Sequence, residues 1–185
     1  MIGARAKASL DRLVAHGLRN ALPGADGADA VVRTEPADRI APGAGDCMVV
    51  LMLASHSFRL VIALHVPRDR ATRDYLERVG RITAGDASAQ ALRDSACESA
   101  NLCCGTVNRE IGRFYPQTGL STPQVIDGRS AGHMHRLAHQ HLQGFRVEVG
   151  GARIQATLCA HACRPMDFDW EPEPQPEAAG ELELF

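Results

Sequence analysis

A carboxylate and a carboxamide one helical turn apart, Glu98 and Asn101, are the residues of this 185-residue chain best placed to do chemistry. At ~100° per residue, with Asp94 as zero, Glu98 falls at ~40°, Asn101 at ~340°, Gly105 at ~20°, Asn108 at ~320° and Gly112 at ~0°. These residues share a stripe about 80° wide. Leu92, Ala96, Ala100, Cys103, Val107, Ile111 and Phe114 occupy the other side as an apolar face. The plain reading of the stripe is a solvated helix face. Solvated faces favour long helix formers, however, and this one carries two Gly and two Asn. Each glycine costs ~1 kcal/mol relative to alanine. Accepting that cost twice points to a second body that approaches the helix backbone closely. There a carboxylate accepts from a cation, and a carboxamide both donates to and accepts from a water.

The elements that must position this pair are legible in the same way. The spacing predicts a helix over 4–22 with Ala6, Leu10, Leu13, Val14, Gly17, Leu18 and Ala21 inward, stopped by Pro23-Gly24. A short strand is expected over Ala28–Glu35, then a Pro/Gly-rich loop to Asp46. The runs 47–54 (CMVVLMLA) and 58–66 (FRLVIALHV), separated by Ser55-His56-Ser57, read as a hairpin. Residues 68–83 place Ala71, Tyr75, Val79 and Ile82 at helical spacing. The long helix carrying Glu98 and Asn101 follows, from about Ser88 to Phe114, and then a strand near 121–126. Stretches 137–149 and 152–162 join through Gly150-Gly151, a pair suited to a tight primed turn. The order predicts an α+β domain: a mainly antiparallel sheet of about six strands with about three helices packed on it.

Composition narrows the class. With 45% hydrophobic residues, 20 basic and 22 acidic side chains, the chain is neither disordered nor a disulfide scaffold. The longest apolar run, Cys47–Ala54, is far short of the ~20 residues that span a bilayer. No signal-peptide block opens the chain, and six irregularly spaced Cys read as reduced thiols, so a cytoplasmic location is expected. Residues 167–185 hold seven acids and no base, leaving 15 acids against 20 bases in 1–166. The domain is therefore expected over 1–166, followed by an acidic, Pro-rich, disordered tail. Aromatics make up 4% and are not interleaved with the bases, which argues against nucleic acid.

The segment Asp94-Ser-Ala-Cys-Glu98-Ser-Ala-Asn101-Leu-Cys-Cys-Gly105 resembles the D-x-x-x-E-x-x-N-x-x-x-G helix of the CheC/CheX-type chemotaxis phosphatases. Ser121-Thr-Pro123-Gln-Val-Ile126-Asp-Gly128 resembles the Pro-containing strand that follows it, and with the order of elements the likeness covers roughly residues 4–162. The single E-x-x-N motif is as in CheX. The resemblance implies hydrolysis of the aspartyl phosphate on a CheY-like receiver domain, which supplies its own Mg²⁺, so that the chain needs no cofactor of its own. On that basis Asn101 is expected to orient the attacking water and Glu98 to pair with the receiver's lysine. Asp94, Gly105 and Asn108 are expected on the partner-binding face. A homodimer is a further implication, and a non-catalytic receiver-binding or flagellar-switch adaptor of the same fold is the alternative.

Two other clusters compete. His133, His135, His139 and His141 lie close in sequence, and alternation puts Cys159, His161 and Cys163 on one strand face. Ligands on one strand stand ~7 Å apart, too spread for one tetrahedral ion without help, so no metal site is expected. Cys97, Cys103 and Cys104 flank the stripe and read as small buried residues. Gly43-Ala-Gly45 is a loop feature, not a phosphate-binding loop.

Overall fold

The alternating apolar runs settle into one antiparallel sheet whose inner face is covered by the amphipathic helices. The computed structural model of the chain describes residues 1–24, 30–43 and 45–172. The strands are β1 (Val31–Glu35), β2 (Cys47–Ala54), β3 (Phe58–Val66), β4 (Gly119–Leu120), β5 (Gln124–Asp127), β6 (His141–Val149) and β7 (Ala152–Ala162). The helices are α1 (Ala4–Ala21), α2 (Arg70–Arg78) and α3 (Ala89–Ile111). The sheet order is β1-β6-β7-β3-β2-β4, with β5 also pairing β2. This is the expected α+β architecture. No helix among the described residues is long and apolar enough to cross a membrane.

The two predicted hairpins form where the turn chemistry placed them. β2 and β3 pair from Cys47↔Val66 to Ala54↔Arg59. Between them the Ser55 hydroxyl accepts from the amides of Ser57 (3.1 Å) and Phe58 (3.3 Å). β6 and β7 close at Val149↔Ala152, with Gly150 and Gly151 at φ +53° and +84°. Only glycine takes two consecutive positive φ values cheaply. All seven predicted inward residues of α1 are buried, and with Leu51, Leu60, Phe145 and Leu158 they fill the space between helices and sheet.

Other boundaries move. The start of the predicted strand at 28–29 lies outside the described residues, and β1 begins at Val31. The strand expected near 121–126 is two pieces. Ser121 donates to the Met52 carbonyl (2.9 Å) and accepts from its amide through the hydroxyl (3.0 Å), after which Pro123, lacking an N–H, interrupts the ladder. The strand expected from 137 starts at His141, because Gly128–Arg136 winds as a 3-10 helix. In α2, capped by Asp69, the buried residues are Thr72, Tyr75 and Leu76, and Ala71 is exposed. α3 stops at Ile111, so Phe114 lies beyond it, 41% exposed, its ring 5.0 Å from that of Phe168.

The residues after 166, assigned to the tail by charge, pack on α1 as far as Trp170. Ile2 and Met166 form a parallel bridge, and Phe168 and Trp170 are buried. The Asp167 and Asp169 carboxylates pair with Arg5 and Arg12 on α1. The Trp170 indole N–H donates to Glu110 on α3 (3.2 Å). Acids that look like a solvated run are here neutralised by α1 arginines while the intervening aromatics enter the core. Residues 173–185 of the expected tail lie outside the described residues.

Candidate functional site

The position of Glu98 and Asn101 follows from how α3 is held. The Ser88 hydroxyl caps the helix by accepting from the Ala91 amide (3.1 Å), and Asp86 in turn accepts from the Ser88 amide (2.9 Å). The inward face is wider than the apolar residues alone suggest. Leu92, Ala96, Ala100, Cys103, Val107 and Ile111 are buried, and so are Ser95, Ser99, Cys104, Thr106 and Glu110. Gly17 of α1 lies against this face at Cys103 and Val107: a Cβ on Gly17 would stand 2.9 Å from the Cys103 carbonyl oxygen. With α1 on one flank and the sheet on the other, a single stripe of α3 is left to solvent.

Asp94, Glu98, Asn101 and Leu102 are exposed on that stripe, and Gly105, Asn108 and Gly112 are half-buried. Asp94 accepts from the Gln90 amide group (2.7 Å). Among the described residues, no side chain hydrogen-bonds or pairs with Glu98 or Asn101. Their backbones are one turn apart, ~5–6 Å between Cβ atoms, so one docking body reaches both. A Cβ added to Gly105 would meet nothing within 4 Å. The surface beside Asn101 is thus open, and no described residue demands glycine there. Asn108 differs from its neighbours, because its Oδ1 is buried without a hydrogen-bond partner.

Two residues beside the pair were not singled out by the periodicity. Leu102 falls between the two stripes on a helical wheel, yet is 42% exposed next to Asn101. Arg81, in the loop after α2, lines a shallow groove of ≈ 520 Å³ with Asp94, Ser95, Glu98 and Leu102. Its guanidinium donates to the Ser99 hydroxyl (3.0 Å) and the Ala21 carbonyl (2.9 Å), tying α1 and the loop to α3 behind Glu98. Nothing in the local sequence separates this arginine from the others.

The competing clusters are placed as follows. Burial, helped by Asp94, raises the Cys97 thiol above its ordinary range, and Cys103 is pushed well above it by its hydrogen bond to Cys104 and by burial. Both therefore stay protonated at neutral pH, which is the opposite of an activated nucleophile. All six cysteines are free thiols. His133 and His135 are exposed, His139 donates to the Leu137 carbonyl (2.7 Å), and His141 pairs with Asp11 (2.6 Å). Cys159 is buried against Met48, Ala63 and Met134, while Cys163 lies past the end of β7. Among the described residues no three His, Cys, Asp or Glu side chains come together to hold a metal.

No family model matches the sequence, and no curated protein does. Solved structures do match. The chemotaxis protein CheX of Vibrio vulnificus superposes with a TM-score of 0.60 at 11% identity, over 82% of this chain and 99% of that one. A CheC-like superfamily protein of Shewanella sp. PV-4 gives 0.60 at 10%, over 83% and 97%. CheX of Borrelia burgdorferi, solved in a complex with CheY, BeF₃ and Mg²⁺, gives 0.58 at 11%, over 83% and 96%. The chain has a CheX/CheC-like fold. The superposed region takes in 96–99% of each of these matched chains.

Proposed function

We propose that the chain is a phosphatase of phosphorylated CheY-like receiver domains, acting through the exposed stripe of α3. The observation that carries this reading is the pair Glu98 and Asn101, exposed one turn apart, without a side-chain partner among the described residues, beside a glycine with open space above it. The existence of a CheX of this fold in complex with CheY supports the partner class. An acyl phosphate is already reactive, so a helper protein need only hold a water in line with the phosphorus. The Asn101 carboxamide suits that task. It accepts from and donates to water while placing no negative charge near the phosphoryl oxygens. Charge on those oxygens is left to the Mg²⁺ held by the receiver. Glu98 pairs with the receiver's lysine and sets the docking pose. The water oxygen bonds to phosphorus as the bond to the aspartyl oxygen breaks, releasing phosphate and a free carboxylate.

The test is phosphate loss from a phosphorylated receiver of the same genome, with and without the protein. Asn101→Ala should remove the acceleration by roughly 10²-fold, the cost of losing alignment of a reacting group, while leaving capture of the receiver and thermal stability unchanged. An Asn101→Ala variant as fast as the parent rules out this role. Capture without acceleration by the parent itself identifies a receiver-binding adaptor.

A further inference from the structure

A groove of ≈ 540 Å³ lies between α1 and the edge strand β1. Its apolar lining includes Ala15, Val32 and Trp170, and its basic lining includes Arg19 and Arg33. Neither arginine has an ion-pair partner among the described residues. The one acid in the lining, Asp11, is held by His141 (2.6 Å). The groove is therefore cationic with an apolar floor.

Pro172, the last residue described, also lines this groove. The chain continues for residues 173–185, with Glu173, Glu177, Glu181 and Glu183, no Lys or Arg, and the ending Glu181-Leu182-Glu183-Leu184-Phe185. The residues just before the groove show what such a sequence does on α1. In Asp167-Phe168-Asp169-Trp170, the acids pair with Arg5 and Arg12 while the aromatics are buried. Arg5, Arg12 and Arg19 are spaced by seven, so they share one face of the helix at ~10.5 Å intervals. Two rungs of this arginine ladder are filled in chain order and the third is open.

We infer that residues 173–185 dock back into the α1–β1 groove, their glutamates on Arg19 and Arg33 and their apolar end on the floor formed by Ala15 and Val32. The reach of 13 extended residues, roughly 40 Å, is ample. A tether of this kind supplies an effective concentration of ~1 mM, so weak contacts suffice to keep the groove filled. A free acidic ligand must displace residues 173–185 to enter.

Trp170 is the only tryptophan, so its indole N–H gives a single reporter resonance at the groove. The full chain should be compared by ¹⁵N NMR and amide hydrogen exchange with a chain ending at Pro172 and with full-length Arg19→Glu/Arg33→Glu. Truncation should move the indole resonance and speed exchange in residues 31–35 several-fold. The double charge reversal should give the same spectrum as truncation, and ~1 M salt should shift the full chain toward it, because screening weakens exposed ion pairs. A synthetic peptide of residues 173–185 should return the truncated chain to the full-length signals with half-saturation at or below ~1 mM. Identical spectra for full and truncated chains overturn the inference. So does a truncation effect that neither the peptide nor the charge reversal reproduces. None of these residues lies on α3, so either outcome leaves the receiver reading untouched.

Discussion

Gly17 and Gly105 meet opposite surroundings at α3. Gly17, on α1, sits where a Cβ would stand 2.9 Å from the Cys103 carbonyl oxygen and 3.2 Å from Cys103 Sγ and Val107 Cγ2. Gly105, on the outward side of α3 itself, would place its Cβ in open space. The first glycine is demanded by the fold, since two helices cannot approach that closely over a side chain. The second is not demanded by any described residue, and it costs helix stability. The same contrast runs along both faces of α3. Inward, the Ser99 hydroxyl donates to the Ser95 carbonyl (2.9 Å) and Glu110 takes the indole N–H of Trp170, while the Ser95 hydroxyl is buried without a partner. Outward, Glu98 and Asn101 have no side-chain partner among the described residues. Packing among the described residues therefore accounts for the inward face far better than for the outward one.

The largest effect that tests this contrast is Gly17→Ala. Alanine gains ~1 kcal/mol of helix propensity but must push against main chain rather than a flexible side chain. The net result should be a loss of about 2 kcal/mol in urea unfolding, since overpacking costs ~1–3 kcal/mol and more against backbone. A neutral or stabilising result means that α1 and α3 adjust easily, and the two glycines would no longer differ in kind. Arg81→Met comes next. It keeps the side-chain bulk and removes two hydrogen bonds that join α1 and the α2–α3 loop to α3, for roughly 1–2 kcal/mol. Because Arg81 lines the groove beside Glu98, receiver capture should weaken too, measured by titration against the phosphorylated receiver. Lost stability with unchanged capture confines Arg81 to the inward side of the comparison.

How much of this was legible in the sequence depends on where the deciding contact lies. The hairpin partners 47–54, 58–66 and 152–162 have the predicted boundaries, because apolar runs bounded by Ser or Gly-Gly turns are local signals. α1 was readable for the same reason. The 3-10 helix at 128–136 and the division of the 121–126 strand depend on tertiary context: Pro123 breaks the ladder, and Ser121 substitutes its hydroxyl across from Met52. The packing of Asp167–Trp170 was hidden because the arginines that neutralise those acids lie about 160 residues away in sequence. At the candidate site, periodicity indicated which side of α3 carries Asp94, Glu98 and Asn101. It gave no sign of Arg81, which reaches the site from another element, or of the exposed Leu102.

The smallest effect is the most informative, because it reverses sign. Gly105→Ala adds a methyl group where nothing lies within 4 Å, so no internal contact opposes it. Helix propensity alone then predicts a gain of about 1 kcal/mol, read as a higher urea midpoint at unchanged slope. The identical substitution at Gly17 should lose stability. If a receiver rests on the backbone at Gly105, the same methyl group should weaken its capture and slow phosphate loss, even though the protein itself is more stable. A stabilised variant that binds and accelerates as well as the parent means that the partner never approaches this turn of the helix. The cost of Gly105 would then have no functional return, and the outward face would have to work through Glu98, Asn101 and Leu102 alone.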